Sequence, residues 1–310
     1  MPCPELPRTT SGDVLVVCTY YENGEPRWGG LVDRTGRATA VVPEGGPVRL
    51  RPVADPGWDH LRGGNVPALL PGGGPAAPVV VLMDIAAVYG GEPLLVDLVA
   101  IPGRGVRVAK ERLGEVLAAL FDGALVFDDL IRDTDLRGTY RGDAGRRAFP
   151  VPTAQPQRDF PALPATDGAL LVRTWFEDDD GWRALLDELG GTDEEGWVGA
   201  DIDPDDIDPD RYPLTALVVD DPAYEGLPPG SVPALVPPEE HTVLVALADA
   251  GTFAGADRPL AAVDLHDTPG NIAVLPCHMA GSMVCNLEIA NMDFHDFVSV
   301  AGVRPWWEEA

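Results

Sequence analysis

Basic residues are in short supply: 22 Lys and Arg face 50 Asp and Glu, a formal net charge of −28 over 310 residues. Such a surface repels nucleic acid and anionic membranes, and attracts basic proteins. Cysteine is scarce too. Cys3, Cys18, Cys277 and Cys285 are the only four, too few for a disulfide framework in a chain of this length, so free thiols are expected. No run of about 18 apolar residues occurs, which argues against a membrane-spanning helix. The opening MPCPELPRTTSGD lacks a basic start followed by an apolar stretch, so a cytoplasmic location is expected. Enzyme signatures are missing as well: there is no G-x-S-x-G elbow, Walker loop or G-x-G-x-x-G. No cofactor is expected.

What is present is present twice. DPGWDHLRGGNVPALLP at 55–71 aligns without a gap to DPAYEGLPPGSVPALVP at 221–237, with nine of seventeen positions identical. VDLVAIPG at 96–103 answers VDLHDTPG at 263–270, with five of eight identical. Thr19-Tyr20-Tyr21-Glu22 matches Thr174-Trp175-Phe176-Glu177, Trp28 matches Trp182, and Phe127 and Asp129 fall opposite Phe294 and Asp296. Blocks in one order mean a tandem duplication of a domain. The chain is long enough for two such domains, each with its own core. The expected division is a first repeat at 1–148, a Pro-rich linker at 149–167 and a second repeat at 168–310.

Each repeat follows one plan. A buried strand (14–19 and 169–174) comes first. Trp182, Leu185, Leu186 and Leu189 then recur at helical spacing. Near Trp28 the glycines Gly29 and Gly30 and the Arg34-Thr35-Gly36-Arg37 turn predict a hairpin in place of that helix. Strands are expected at 48–53 and 214–219, each ending in an Asp-Pro turn. Further strands are expected at 79–83, 94–98 and 106–108 and their counterparts. A helix over 111–121 and a short last helix carrying Phe127 or Phe294 complete the plan. The fold class is α/β (or α+β): two tandem homologous domains, each a small sheet with flanking helices.

The acidity is lopsided. Residues 1–155 hold 16 basic and 19 acidic side chains, a net of −3, whereas residues 156–310 hold 6 and 31, a net of −25. Between Trp182 and Asp221 the second repeat has also gained twelve residues relative to the first, in the interval that contains GTDEEGWVGADIDPDDIDPDRY. An extension on a duplicated scaffold suits a specific contact. The candidate partner-binding residues are therefore Glu177, Asp178, Asp179, Asp180, Asp201, Asp203, Asp205, Asp206, Asp208 and Asp210. Asp201, Asp203 and Asp205 also have the spacing that opens a calcium loop. Asp206 stands where the turn glycine is needed and Tyr212 where the closing Glu is needed, so a solvated acidic loop is the simpler reading.

His266, Cys277, His278, Cys285 and His295 are the soft-ligand cluster, without C-x-x-C or H-x-x-x-H spacing. With Asp264 they are the candidates for an enzyme site private to the second repeat: Asp264, His266, Cys277, His278 and His295, a Cys thiol being activated by a His. Asp97 and Asp264, repeated within Val-Asp-Leu, read first as turn or cap residues. Arg104, Arg107, Lys110 and Arg112 make a basic strip on the first repeat, read as a solvated helix start.

The ending Asn286-Leu287-Glu288-Ile289-Ala290-Asn291-Met292-Asp293-Phe294-His295-Asp296-Phe297, with LVRTWFEDDDGW, VVDDPAYEGL and VDLHDTPG, resembles an uncharacterised bacterial domain family with an N-L-x-I-A-N-M-D-F ending. The resemblance covers about 168–302 and implies no activity and no catalytic residues. In the first repeat Ala119, Ala124 and Val126 replace Asn286, Asn291 and Asp293. The expected function is a non-enzymatic interaction module presenting an acidic face to a basic protein, immunity- or inhibitor-like in kind. The alternatives are the Cys/His/Asp enzyme and a structural assembly component.

Overall fold

An apolar run, DVLVVC at 13–18 in the first repeat and ALLVR at 169–173 in the second, becomes the strand on which each sheet is built. The computed structural model describes residues 3–10, 12–39, 48–72, 76–135, 137–142, 160–200, 212–237, 242–289 and 291–298, in two units, Met1–Ala154 and Gln155–Ala310. The first unit contains β1 (Asp13–Cys18), β2 (Tyr21–Glu22), β3 (Glu25–Pro26), β4 (Arg49–Val53), β5 (Val79–Met83), α1 (Ile85–Val88), β6 (Leu94–Asp97), β7 (Gly105–Val108), α2 (Leu113–Asp122), α3 (Phe127–Arg132) and β8 (Thr139–Tyr140). The second contains β9 (Ala169–Arg173), α4 (Asp179–Glu188), β10 (Trp197–Val198), β11 (Ala216–Val219), β12 (Leu244–Ala248), α5 (Ala250–Ala254), β13 (Leu260–Asp264), β14 (Ile272–Leu275) and α6 (Cys277–Glu288).

The sheets are mixed, in the orders β4-β1-β5-β6-β7-β8 and β10-β11-β9-β12-β13-β14. β1 lies parallel between β4 and β5, and β9 lies parallel between β11 and β12. β6 and β13 then run antiparallel to both their neighbours. Strands covered on both faces need no polar alternation, which is why DVLVVC is buried throughout. Val14, Val16, Val81 and Leu95 face a helix layer holding Leu113, Leu117, Phe127 and Leu130. Leu15, Val17, Val80 and Leu82 face the opposite layer with Trp58, Leu61, Val66 and Leu69. That second layer is the repeated DP…VPAL segment, wound as 3₁₀ turns. Asp55 and Asp221 each accept a backbone N–H two residues on, at 2.8 Å, and so start the turns Pro56–Trp58 and Pro222–Tyr224. These are the Asp-Pro turns expected from the sequence.

Two local outcomes add to or depart from the sequence reading. The chain between β1 and β4 turns back where expected: Val32 bridges Ala38 antiparallel around the turn at 34–37, and Asp33 N–H donates to the Arg37 carbonyl at 2.9 Å. A further hairpin precedes it at β2–β3, through Asn23 and Gly24 with φ of 54° and 78°. That pair of positive φ values suits a two-residue hairpin turn. Gly29 blocks the helix: its φ is +50°, and a Cβ there would lie 2.6 Å from the Ala87 carbonyl oxygen.

The second outcome concerns the linker. Its final part, residues 160–167, is built into the second unit. Leu163 is buried and donates its N–H to the Leu235 carbonyl at 2.8 Å, as Leu6 does to Leu69 at 2.8 Å. Tyr224 Oη donates to the Ala162 carbonyl at 2.8 Å, as Trp58 Nε1 donates to Pro4 at 2.8 Å. Proline disfavours helix but not an extended leader laid over a core, so the composition of a spacer concealed a repeat boundary. Leu163→Ala should lower the unfolding free energy of the second unit by about 2–5 kcal/mol. A spacer residue would change it by under about 0.5 kcal/mol. Urea denaturation followed at the second unit's tryptophans separates the two.

Candidate functional site

In each unit the chain leaves the central strand for a neighbour on one side and then crosses to a neighbour on the other. The carboxyl end of that strand is a topological switch point, where connections part and leave a crevice. In the second unit it carries Arg173, only 4% exposed. Its guanidinium pairs with Asp179 at 2.6 Å and Asp220 at 3.3 Å, and Nε donates to the Trp175 carbonyl at 3.1 Å. It lies over the rings of Phe176 and Trp182, at 4.5 and 5.6 Å. Trp182 Nε1 donates to Asp220 at 3.0 Å. Beside this network Trp175 stacks on Phe253, with centroids 6.5 Å apart.

In the first unit Cys18 stands in place of Arg173 and donates to the Tyr20 and Arg27 carbonyls, each at 3.2 Å. Tyr20 meets Tyr89 and His60 edge to face. Tyr89 Oη and Tyr20 Oη donate to Glu22 at 2.5 and 3.3 Å, and Arg27 pairs with Glu22 at 2.6 Å. The Tyr89 hydroxyl chiefly, with Arg27, holds the Glu22 carboxyl below the usual range. An aromatic pair therefore recurs at one place in both repeats. Arg173 and this pair were missed from the sequence, although the matched TYYE and TWFE blocks carried the signal.

The expected acidic contacts divide. Asp178 caps α4 by accepting from Gly181 N at 2.8 Å, Asp179 holds Arg173, and Asp180 pairs with Arg183 at 2.6 Å. Glu177 is exposed and has no hydrogen-bond or ion-pair partner among the described residues. Asp201, Asp203, Asp205, Asp206, Asp208 and Asp210 lie outside the described residues. Val198 and Leu214, which bracket them, lie toward the amino end of β11, whereas 177–180 follow the carboxyl end of β9.

The five candidate catalytic residues do not assemble. Asp264 ends β13 opposite Leu244, at the amino edge of the parallel strands, while Leu275, just before Cys277, pairs with Leu260 at the other end. Four residues of strand separate these ends, about 13 Å. Cys277 and His278 open α6 there. Cys277 Sγ donates to Glu188 at 3.3 Å, and Glu188 is ion-paired with Arg258. Burial first, then Glu188, pushes the thiol up to about 12, so it stays protonated. A thiol shifted in this direction is a poor nucleophile near neutral pH.

Asp264, His266 and His295 do share a neighbourhood. Asp264 accepts from the backbone N–H groups of His266, Asp267 and Thr268 at 2.7, 3.1 and 2.6 Å. Asp267 accepts from Phe294 N at 2.7 Å, which ties this turn to the 3₁₀ turn Phe294–Phe297. Asp293, His295 and Asp296 bring ligating atoms within 4.8 Å of one another. A capping role accounts for these acids: Asp296 accepts from Asp293 N at 3.1 Å. The family ending is likewise local. Asn291 donates to Asn286 at 2.6 Å, closing α6, and Phe294 and Phe297 are buried.

The first repeat shows what Asp264 has lost. Asp97 accepts from Val99, Ala100 and Ile101 N–H at 2.9–3.0 Å, as a turn residue should. It also faces Arg104 at 3.2 Å. Arg104 is 0% exposed, reaches Asp128 at 2.7 Å and lies over the Phe127 ring. This corrects the solvated-strip reading for Arg104, and the largely buried pair with Asp84 corrects it for Arg107, whereas Arg112 keeps to it in an exposed pair with Glu115. In the second repeat Asn271 replaces Arg104 and His295 replaces Asp128. Burial, reinforced by Asp267, pushes Asp264 up to about 7 against its three N–H donors.

The linkage has a definite sign. The folded state holds a proton on Asp264 that the unfolded chain releases near pH 4. The contribution of Asp264 to the stability of the second unit is therefore full below about pH 4 and falls as pH rises to about 7. Replacing Asn271→Arg together with His295→Asp should flatten that slope, as read by urea denaturation across this range.

The polar centre of each unit thus lies at a sheet edge, while a hollow of about 250 Å³ lies elsewhere, between Leu6, Leu15, Leu70 and Val80 of the first unit. No described helix is long and apolar enough to cross a membrane. No curated protein and no solved structure matches the chain. A family model, Domain of unknown function (DUF6924), matches it twice, over residues 13–143 and 168–304. The chain belongs to that family, as a tandem pair of its domains.

Proposed function

We propose that this is a non-enzymatic interaction protein whose second repeat docks on a basic protein. The observation that carries the reading is the charge difference between two copies of one fold. Pairing each of the six basic side chains of residues 156–310 with an acid would still leave 25 acids uncompensated. In the first repeat Arg49, Arg104, Arg107 and Arg141 are all engaged by acids, and the counts of basic and acidic side chains nearly balance. A common surface chemistry imposed on the whole chain would have acidified both copies. Electrostatic complementarity would speed association with a basic partner and make it sensitive to salt. An inhibitor- or immunity-like role, occluding a basic enzyme such as a nuclease, fits the same electrostatics. Catalysis by Asp264, His266, Cys277, His278 and His295 has less support, because the thiol is protonated and stands at the far edge from Asp264.

A polylysine surface tests the proposal. The full chain should be retained at low salt and released at high salt. A variant with Glu177→Gln, Asp180→Asn and Asn at 201, 203, 205, 206, 208 and 210 leaves Asp178 and Asp179 in their structural roles. It should lose most of the low-salt retention with an unchanged circular dichroism spectrum. Equal retention of both proteins at either salt would sink the docking reading.

A further inference from the structure

The two switch-point crevices differ in who supplies the cations. In the first repeat the acids flanking the Tyr20–Tyr89 pair are neutralised from within. Arg27 pairs with Glu22 at 2.6 Å, and Arg107 pairs through both Nη atoms, at 2.8 Å each, with Asp84, which caps the helix leading to Tyr89. In the second repeat the ring pair and both acids persist. Trp175 and Phe253 stack, Glu177 answers Glu22, and Asp249 answers Asp84 as the cap of α5, the helix that carries Phe253.

Both arginines are gone. Val274, 58% exposed, occupies the position of Arg107, and Gly181 falls at that of Arg27 when Trp28 and Trp182 set the register. Arg173, a cation that stands where the first repeat has Cys18, is consumed by Asp179 and Asp220. The Asp249 side chain accepts the capping N–H groups of Gly251 and Thr252, and no cation faces Glu177 among the described residues.

We propose that this crevice, formed by Trp175, Phe253, Glu177 and Asp249, receives arginine side chains of a partner protein. The inference rests on the docking reading above and supplies its point of contact. A guanidinium suits the place better than an ammonium: it is planar, stacks on aromatic faces and meets carboxylates with a fork of donors. The chain already makes this contact within itself, where Arg173 lies between the Phe176 and Trp182 rings and two carboxylates. The partner's arginines would restore in trans what Arg27 and Arg107 supply in cis.

The test titrates the full chain with fluorescein-labelled nona-arginine and nona-lysine peptides at low salt, by anisotropy. The arginine peptide should bind more tightly than the lysine peptide. Phe253→Leu, Trp175→Leu and Glu177→Gln should each weaken the arginine peptide by about three- to thirtyfold, with the ring variants narrowing the Arg/Lys difference. Val274→Arg returns the first repeat's own cation at an exposed position that tolerates it, and should weaken binding while preserving the fold. Should Trp175→Leu unfold the unit, Glu177→Gln and Val274→Arg carry the test. Tight binding of both peptides, untouched by any variant, would overturn the crevice and leave acidic docking intact. Binding of neither peptide would overturn both.

Discussion

Both repeats are organised around a carboxylate that closes the turn after β6 in one and β13 in the other. Asp97 and Asp264 each gather three successive backbone N–H groups and thereby fix where β7 and β14 begin. The helices that follow, α2 and α6, inherit their placement from those strands. A side chain in this position is necessarily buried, so its charge must be answered, by a cation or by a proton. The first repeat answers with Arg104 and the second with protonation.

That choice recurs through the molecule. Asp97, Asp84 and Glu22 are met by Arg104, Arg107 and Arg27, whereas Asp264, Asp249 and Glu177 occupy the same positions without them. Both copies hold the acids that build turns and caps, and only the first holds the arginines that pair with them. A buried pair of this kind adds little net stability over an apolar substitute, though leaving one partner alone is costly. The absence of an arginine opposite Asp264 in the second repeat is therefore a cost to folding.

Much of this was legible in the sequence because it is local. Apolar runs such as DVLVVC announced central strands, repeated Asp-Pro pairs announced the 3₁₀ turns, and Gly29-Gly30 announced the missing helix. What was not legible depends on strand order. Arg104 looks solvated in a glycine-flanked segment, yet the sheet and α3 close over it. Cys277 and His278 sit near Asp264 in the chain, but antiparallel pairing of β13 and β14 sends them to the opposite edge. Residues 160–167 read as a spacer because proline content does not distinguish a linker from an extended leader. Trp175 and Phe253 lie far apart in sequence and meet only because β9 and β12 are neighbours.

The central claim, that one copy is internally neutralised and the other is not, can be read from native-state hydrogen exchange at low and high salt. The amides of β5 and β12 report the opening free energies of the two cores within one full-length molecule. Excess negative charge repels itself, and added salt screens that repulsion beyond about 10 Å at 0.1 M. Protection of β12 should rise with salt while that of β5 stays nearly constant. An equal response of the two strands, or a greater one in β5, would contradict the account.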